Sequence, residues 1–259
     1  IDTPSIDAWL TAELSEGEYV GIDGKVYAAK DAFILTNKLN SKGLHLIADY
    51  DPFADIWHDR PAIPKNPVFV LPEKYTGEPC RKKIERICEN LAELGAKSLL
   101  VASLDTIAWI FNIRGNDVHC NPVAVSYAYI SPQESILFID PKKLSPEVAG
   151  YLENEGVTLA EYSKVYDYVA KISTSVCLDG NKIPFSLYNV IPSSCRIVDI
   201  LSPADLMKSC KNEVEITGTR NAMQRDGVAL VRFLMWLEKA VPSGNVKEID
   251  INIHLFPLN

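Results

Sequence analysis

Cys80-Arg-Lys-Lys-Ile-Glu-Arg-Ile-Cys-Glu-Asn-Leu-Ala-Glu-Leu-Gly95 runs directly into Ala96-Lys-Ser-Leu-Leu-Val-Ala102, and this pair of segments decides the fold class. Ile84, Ile87, Cys88, Leu91 and Leu94 fall on one stripe of a 3.6-residue period, with Lys, Arg and Glu opposite, so residues 80–95 read as an amphipathic helix. Gly95 supplies the stop, since glycine accepts the left-handed backbone that closes a helix. The short apolar run at 98–102 then reads as a strand buried on both faces. Downstream the same alternation continues. Strands are expected at 123–130, 135–140, 157–160, 175–179 and 195–199, and helices at 145–154, 162–171 and 184–190. Alternating elements of this kind give a layered α/β domain.

Upstream, residues 4–14 read as a helix capped by Thr3 or Ser5, and 19–23 as a strand. A helix over 28–42 stops at Gly43 before a strand at 44–48. The prolines at 61, 64, 67, 72 and 79 remove the N–H groups that a helix or inner strand would use, so this stretch is linker, with a domain boundary expected near 72–80. Residues 206–239 form the longest helical stretch. No repeat occurs at a solenoid period.

Composition narrows the class. The chain has 259 residues, 47% hydrophobic and 23% charged, which is a globular balance. Its net charge of −8 disfavours nucleic acid and anionic membrane surfaces as partners. No apolar run reaches the ~20 residues that a membrane-spanning helix requires. Cys80, Cys88, Cys120, Cys177, Cys195 and Cys210 are scattered without C-x-x-C pairs, which favours reduced thiols in a cytoplasmic protein. The first residue is Ile1 rather than Met and no signal peptide follows, so the chain reads as a truncated piece of a longer one.

The common catalytic signatures are absent: no nucleophile elbow, phosphate-binding glycine loop, dinucleotide fingerprint or H-E-x-x-H. His45, His58, His119 and His254 are too far apart in sequence for a local ligand pair and read as packing or surface residues. One segment stands out, Leu104 to Tyr129, in which a short apolar helix runs into Arg114-Gly-Asn-Asp117 and then Asn121-Pro122 before a strand. Gly115 permits a tight turn. The plain structural expectation is that Arg114 pairs with Asp117 to fix that turn. The functional alternative places Arg114, Gly115, Asp117, Asn121 and Pro122 on a cleft or interface formed with another domain.

The pattern Asp105-x-Ile-Ala-Trp-x-x-Asn-x-Arg-Gly-x-Asp-Val, followed by Asn121-Pro-Val and Ser126-Tyr-Ala, resembles the large Xaa-Pro aminopeptidases. Ile56-Trp-His-Asp-Arg-Pro61, Lys208-Ser-Cys-Lys-Asn-Glu-Val-Glu-Ile216 and Arg225-Asp-Gly-Val-Ala-Leu-Val-Arg-Phe-Leu-Met-Trp-Leu-Glu238 agree with it in order. Ala124-Val125 departs from the two aromatic residues more usual there. The resemblance implies two creatinase-type α/β domains followed by a pita-bread catalytic domain. On this chain it implies the end of the first domain over 1–76, the second over 77–205, and a linker with the opening helix of a truncated catalytic domain over 206–259.

The resemblance further implies a dinuclear manganese centre that releases the first residue of peptides with proline second, its hydroxide attacking the carbonyl between two ions. The resemblance places those ligands after the long helix, and after Arg220 only Asp226, Asp250 and His254 remain of the Asp and His residues. No catalytic or metal residue can therefore be assigned, and the chain alone is expected to hold no cofactor and to be inactive. The alternative is a naturally short, non-catalytic creatinase-like binding or assembly module. Finally, Val228-Ala-Leu-Val-Arg-Phe-Leu-Met-Trp-Leu237 is apolar nearly all round, so it belongs inside a core. It is expected to bury itself against residues 80–205 or, preferably, against another copy, making the chain a homo-oligomer.

Overall fold

The computed structural model describes residues 3–255, with side chains as far as Ile251. The readings of Ile1 and of His254 as a side chain fall outside that range. In chain order the elements are α1 (Ile6–Glu13), β1 (Tyr19–Gly21), α2 (Ala29–Asn40), β2 (His45–Ile47) and, after a proline-rich run, β3 (Phe69–Val70). A single turn, α3 (Glu73–Thr76), precedes α4 (Cys80–Glu93), β4 (Ser98–Val101), α5 (Leu104–Ile110) and β5 (Ile113–Arg114). Then come β6 (Ser126–Ile130), β7 (Ser135–Ile139), α6 (Pro146–Asn154), β8 (Val157–Ala160), α7 (Val165–Val169), β9 (Val176–Leu178), α8 (Phe185–Asn189), β10 (Ile197–Asp199) and α9 (Pro203–Ser209). The chain ends with α10 (Glu213–Ala240) and α11 (Glu248–Leu255). It forms two compact units, one of residues up to Leu71 together with Glu78–Ser209, the other of Pro72–Gly77 with residues from Cys210 onward.

The first unit is organised by a six-stranded mixed sheet in the order β10-β9-β4-β6-β7-β8. Neighbours β10, β9 and β4 run parallel, β4, β6 and β7 are antiparallel in turn, and β8 is parallel to β7. Every residue of β4, β6 and β7 is buried, because helices cover both faces. Strand alternation divides the side chains between two cores. Leu99, Val101, Ala128, Ile130, Leu137 and Ile139 face α4, α5 and α6 through Ile87, Leu91, Ile107, Val148 and Leu152. Leu100, Tyr127, Tyr129, Ile136 and Phe138 face α7 and α8 through Val165, Val169 and Leu187.

Ahead of this sheet, β1 and β2 form a parallel pair joined by α2, with Ala29, Ala32, Leu35 and Leu39 buried beneath them. This smaller lobe completes its core with Phe185, borrowed from α8.

The α/β class is as the sequence indicates, but two helices differ from expectation. Helix α4 buries Cys80, Lys83, Ile87 and Leu91, while Ile84 and Cys88 are only half-buried and Leu94 is exposed. The stripe is rotated because Lys83 finds partners inside. The continuous helix expected over 206–239 is broken at Cys210–Asn212. Asn212 adopts an extended backbone and closes a capping box with Glu215: the Glu215 N–H donates to Asn212 Oδ1 at 3.0 Å and the Asn212 N–H to Glu215 Oε2 at 3.0 Å.

In the second unit, Asn212 also donates through Nδ2 to the Thr76 carbonyl at 2.8 Å. Gly77 sits at φ +69°, and a Cβ there would lie 2.4 Å from Asn212 Oδ1, so both its backbone conformation and its neighbour require glycine. Helix α10 packs on α3 and α11, yet buries only Ala229 and Phe233. Val228, Leu230, Val231, Leu234 and Met235 are each at least half exposed.

Candidate functional site

The segment that stood out in the sequence is a loop held from beneath by two buried lysines. Helix α5 ends at Ile110, and Asn112 then takes a left-handed backbone at φ +53°. Lys83, 1% exposed on α4, donates to the Trp109 carbonyl at 2.8 Å and to Asn112 Oδ1 at 2.7 Å, and its ammonium lies 4.3 Å from the Trp109 ring centroid. A cation at the carbonyl end of a short helix, over an aromatic face, is favourably placed on both counts. Asn112 in turn donates to the Glu78 carbonyl at 2.9 Å. One lysine thus fixes where α5 stops and in which direction the chain leaves it.

From there Ile113–Arg114 pairs antiparallel with Phe69–Val70, sewing the proline-rich linker to the loop. Leu71 N–H donates to the Asn112 carbonyl at 2.7 Å, Asn66 Nδ2 to the Asn116 carbonyl at 2.8 Å, and Val68 N–H to the Lys143 carbonyl at 2.9 Å. Gly115 is buried, and a Cβ there would meet Ala124 Cβ and the Val123 carbonyl, each at 3.1 Å, so an added side chain would need the facing limb of the loop to give by a few tenths of an ångström. Cys120 turns the tip at φ +59°.

Asp117 anchors the other limb. Its carboxylate accepts the Val125 N–H at 2.7 Å and pairs with the Lys143 ammonium, and both side chains are sealed, at 0% and 1% exposure. The expected Arg114–Asp117 pair is thus corrected. The ion pair of Asp117 is with Lys143, which follows β7, while half-buried Arg114 donates to the Ala108 and Ile113 carbonyls at 2.7 and 2.8 Å. A lysine already desolvated beside β7 is the stronger partner for a buried carboxylate than a guanidinium occupied by helix-end carbonyls. Asp117 Oδ1 is buried with no hydrogen-bond partner among the described residues.

Of the motif positions, Arg114, Gly115 and Asp117 form the base of the loop, and Asn121 and Pro122 lie exposed at its tip. Neither lysine was singled out from the sequence. Lys83 shares a face with Ile87 and Leu91, but its partners Trp109 and Asn112 are distant in sequence, so nothing local marks it as buried. Lys143, in a short turn after β7, is likewise unmarked.

A second polar cluster stands where parallel strands β4, β9 and β10 end. Thr106, fully buried, donates to Asp205, which also pairs with Lys182 at 2.8 Å, while Lys208 pairs with Asp105 and donates to Thr106 Oγ1 at 3.1 Å. Burial works against the Asp105 carboxylate, but the Lys208 hydrogen bond and charge outweigh it and hold its pKa below the usual value. The hydrogen bond from Lys182 to Asp205 raises the lysine's pKa. These groups neutralise one another, which suits tying α5 to α9. Among the described residues no group of three or more His, Cys, Asp or Glu is placed to hold a metal ion, and no helix is long and apolar enough to cross a membrane.

Residues 59–215 match the model of the creatinase/prolidase N-terminal domain family. Probable Xaa-Pro aminopeptidase P of Botryotinia fuckeliana is 34% identical over 96% of this chain, and that of Coprinopsis cinerea is likewise 34% identical over 96%. The chain spans only 40% and 42% of those relatives. A crystal structure of X-prolyl aminopeptidase from Caenorhabditis elegans, described as a cytosolic enzyme with a di-nuclear active site, superposes with a TM-score of 0.90 at 29% identity, covering 99% of this chain and 43% of that one. The sheet, the loop and these likenesses agree: the chain belongs to the creatinase/prolidase N-terminal domain family and is similar to the N-terminal portion of Xaa-Pro aminopeptidases.

Proposed function

We propose that this chain is the N-terminal part of a metal-dependent Xaa-Pro aminopeptidase, an enzyme that removes the first residue from peptides with proline second. The observation that carries this reading is the match along nearly the whole chain to enzymes of which it spans about two fifths. On this reading residues 1–76 close a first creatinase-type domain, 77–205 form the second, and 206–259 lead into the opening helix of the catalytic domain. The half-exposed apolar side chains of α10 support that last assignment, since side chains of this size in water cost about 1.5–3 kcal/mol each relative to burial.

A dinuclear manganese centre needs several carboxylates and an imidazole in one shell. Among the described residues no group of three or more His, Cys, Asp or Glu is placed to hold a metal ion, which supports placing that centre outside this chain. Its own residues do something else. Lys83 and Lys143 hold the 112–125 loop, and Arg114, Gly115, Asp117, Asn121 and Pro122 present it as a wall for a neighbouring domain. The description of the nematode relative as cytosolic and six unbridged thiols support a cytoplasmic setting.

The test has two arms. Elemental analysis after dialysis against manganese is expected to show no stoichiometric metal, and tight binding at one or two ions per chain would overturn the assignment. Light scattering is expected to show a homo-oligomer that becomes monomeric when residues 225–259 are deleted. A monomer with α10 intact would refute self-association through that helix.

A further inference from the structure

Two segments of the first unit are built alike. Val20-Gly-Ile-Asp-Gly24 leaves β1 as Val176-Cys-Leu-Asp-Gly180 leaves β9. In each, the aspartate closes a turn on the residue two ahead: Lys25 N–H donates to Asp23 Oδ1 at 2.9 Å, and Asn181 N–H to Asp179 Oδ1 at 3.0 Å. Each then bonds back to its own aspartate carbonyl, from Val26 at 3.1 Å and from Lys182 at 2.9 Å. Each strand has a parallel neighbour that returns a bond just beyond the pairing, Tyr50 to Ile22 and Ile200 to Leu178. Each turn leads into a helix at the same offset, Ala29 of α2 and Phe185 of α8.

These two turns also meet. Ala28 lies opposite Pro184 in an antiparallel bridge. Ala29 N–H donates to the Ile183 carbonyl at 2.9 Å, and Phe185 N–H to the Tyr27 carbonyl at 2.8 Å. Lys30 N–H donates to the Gly180 carbonyl and Ser186 N–H to the Gly24 carbonyl, both at 2.9 Å. Exchanging each residue for its counterpart in the other turn leaves this set of four bonds unchanged. That reciprocity is the mark of an isologous contact, in which the same surface serves on both sides of a two-fold axis. The axis passes between Ala28 and Pro184.

We propose that the face formed by residues 178–188 is a self-pairing surface whose partner is a second unit of the same kind. Here the β1–α2 lobe occupies it. When that lobe is lifted away, the same face of a second copy of the chain takes its place. Side-chain size decides between the two. Ala28, Ala29 and Ala32 on the smaller lobe correspond to Pro184, Phe185 and Tyr188 on the larger, so small faces large within the chain. Phe33 packs edge-on to Phe185 and Tyr188, with ring centroids 5.3 and 5.0 Å away. Two bulky faces match less well, so pairing between copies is weaker than pairing within one. This inference stands independently of the aminopeptidase reading.

Disulfide trapping in the full chain tests it. The bridging bonds make Ala28 and Pro184 a non-hydrogen-bonded pair, for which Cα atoms lie about 4.5 Å apart, within disulfide range. Ala28→Cys with Pro184→Cys is expected to close an internal bond on oxidation. Pro184→Cys alone is expected to form no covalent dimer. Adding Ala29→Arg, which the buried site cannot hold, or the milder Phe33→Glu, is expected to yield a covalent dimer whose bond maps by mass spectrometry to residue 184 of both copies. Failure of the internal bond overturns the geometry. With amide exchange showing β4, β6 and β7 still protected, absence of the 184–184 bond in both displaced variants overturns the self-pairing.

Discussion

Replacing Lys143 by methionine removes the charge that Asp117 is buried against, while keeping a side chain of similar length. Both partners are sealed from solvent, and Asp117 Oδ1 has no hydrogen-bond partner among the described residues. The carboxylate would keep only the Val125 N–H at 2.7 Å. Breaking a buried pair from one side costs about 3–5 kcal/mol, because the remaining charge stays uncompensated. Against a total stability of about 5–15 kcal/mol this is severe. For a unit of roughly 200 residues it corresponds to a fall in melting temperature of about 6–20 °C, at ~2–4 °C per kcal/mol. Adding Asp117→Asn removes the orphaned charge and keeps an acceptor for Val125, so the double variant is expected to recover about 2 kcal/mol of the loss, a coupling normal for residues in contact. Urea unfolding of the wild type, both single variants and the double variant measures the cycle. A Lys143→Met cost below about 1 kcal/mol, or a double variant no more stable than that single variant, would refute the reasoning.

Three further outcomes are expected. Cys120 and Cys210, both exposed, should react first with a thiol reagent, whereas Cys80 and Cys177, buried with pKa values pushed up by desolvation to about 12 and about 11, should react only on unfolding; rapid labelling of Cys80 in native protein would contradict this. Because those two pKa values are raised above the thiol reference of 9.0, the stability they contribute is complete below pH 9 and is lost as pH rises towards 11 and 12, which alkaline unfolding curves of Cys80→Ala and Cys177→Ala should show as a flattened slope. Asn212→Ala should cost about 1 kcal/mol by removing the α10 cap, read as earlier amide exchange over residues 213–217, and unchanged exchange there would argue against the capping box.

Much of this architecture was legible in the sequence. The strands of the six-stranded sheet are short apolar runs bounded by turn residues, and both helix and strand periods were visible around Cys80–Ala102. What escaped were features set by distant partners. The stripe on α4 was read from apolar residues alone, which displaced it towards Leu94, because nothing local shows that Lys83 has the Trp109 carbonyl and ring to bury against. The partner of Asp117 was sought three residues away, whereas burial selects Lys143 from the far side of two strands. Residues 206–239 read as one helical stretch, while the capping box that divides it at Cys210–Asn212 is a matter of one asparagine and one glutamate. The loop at 104–125 was found as a motif, but its supports are tertiary.

The most direct test of the central claim is hydrolysis of a short Xaa-Pro peptide by the purified 259-residue chain, with manganese added and then chelated. The account predicts no release of the first residue above the uncatalysed rate in either condition, because the described residues supply no metal-binding set. Turnover that rises with manganese, falls with the chelator and co-purifies with the chain through successive columns would contradict it.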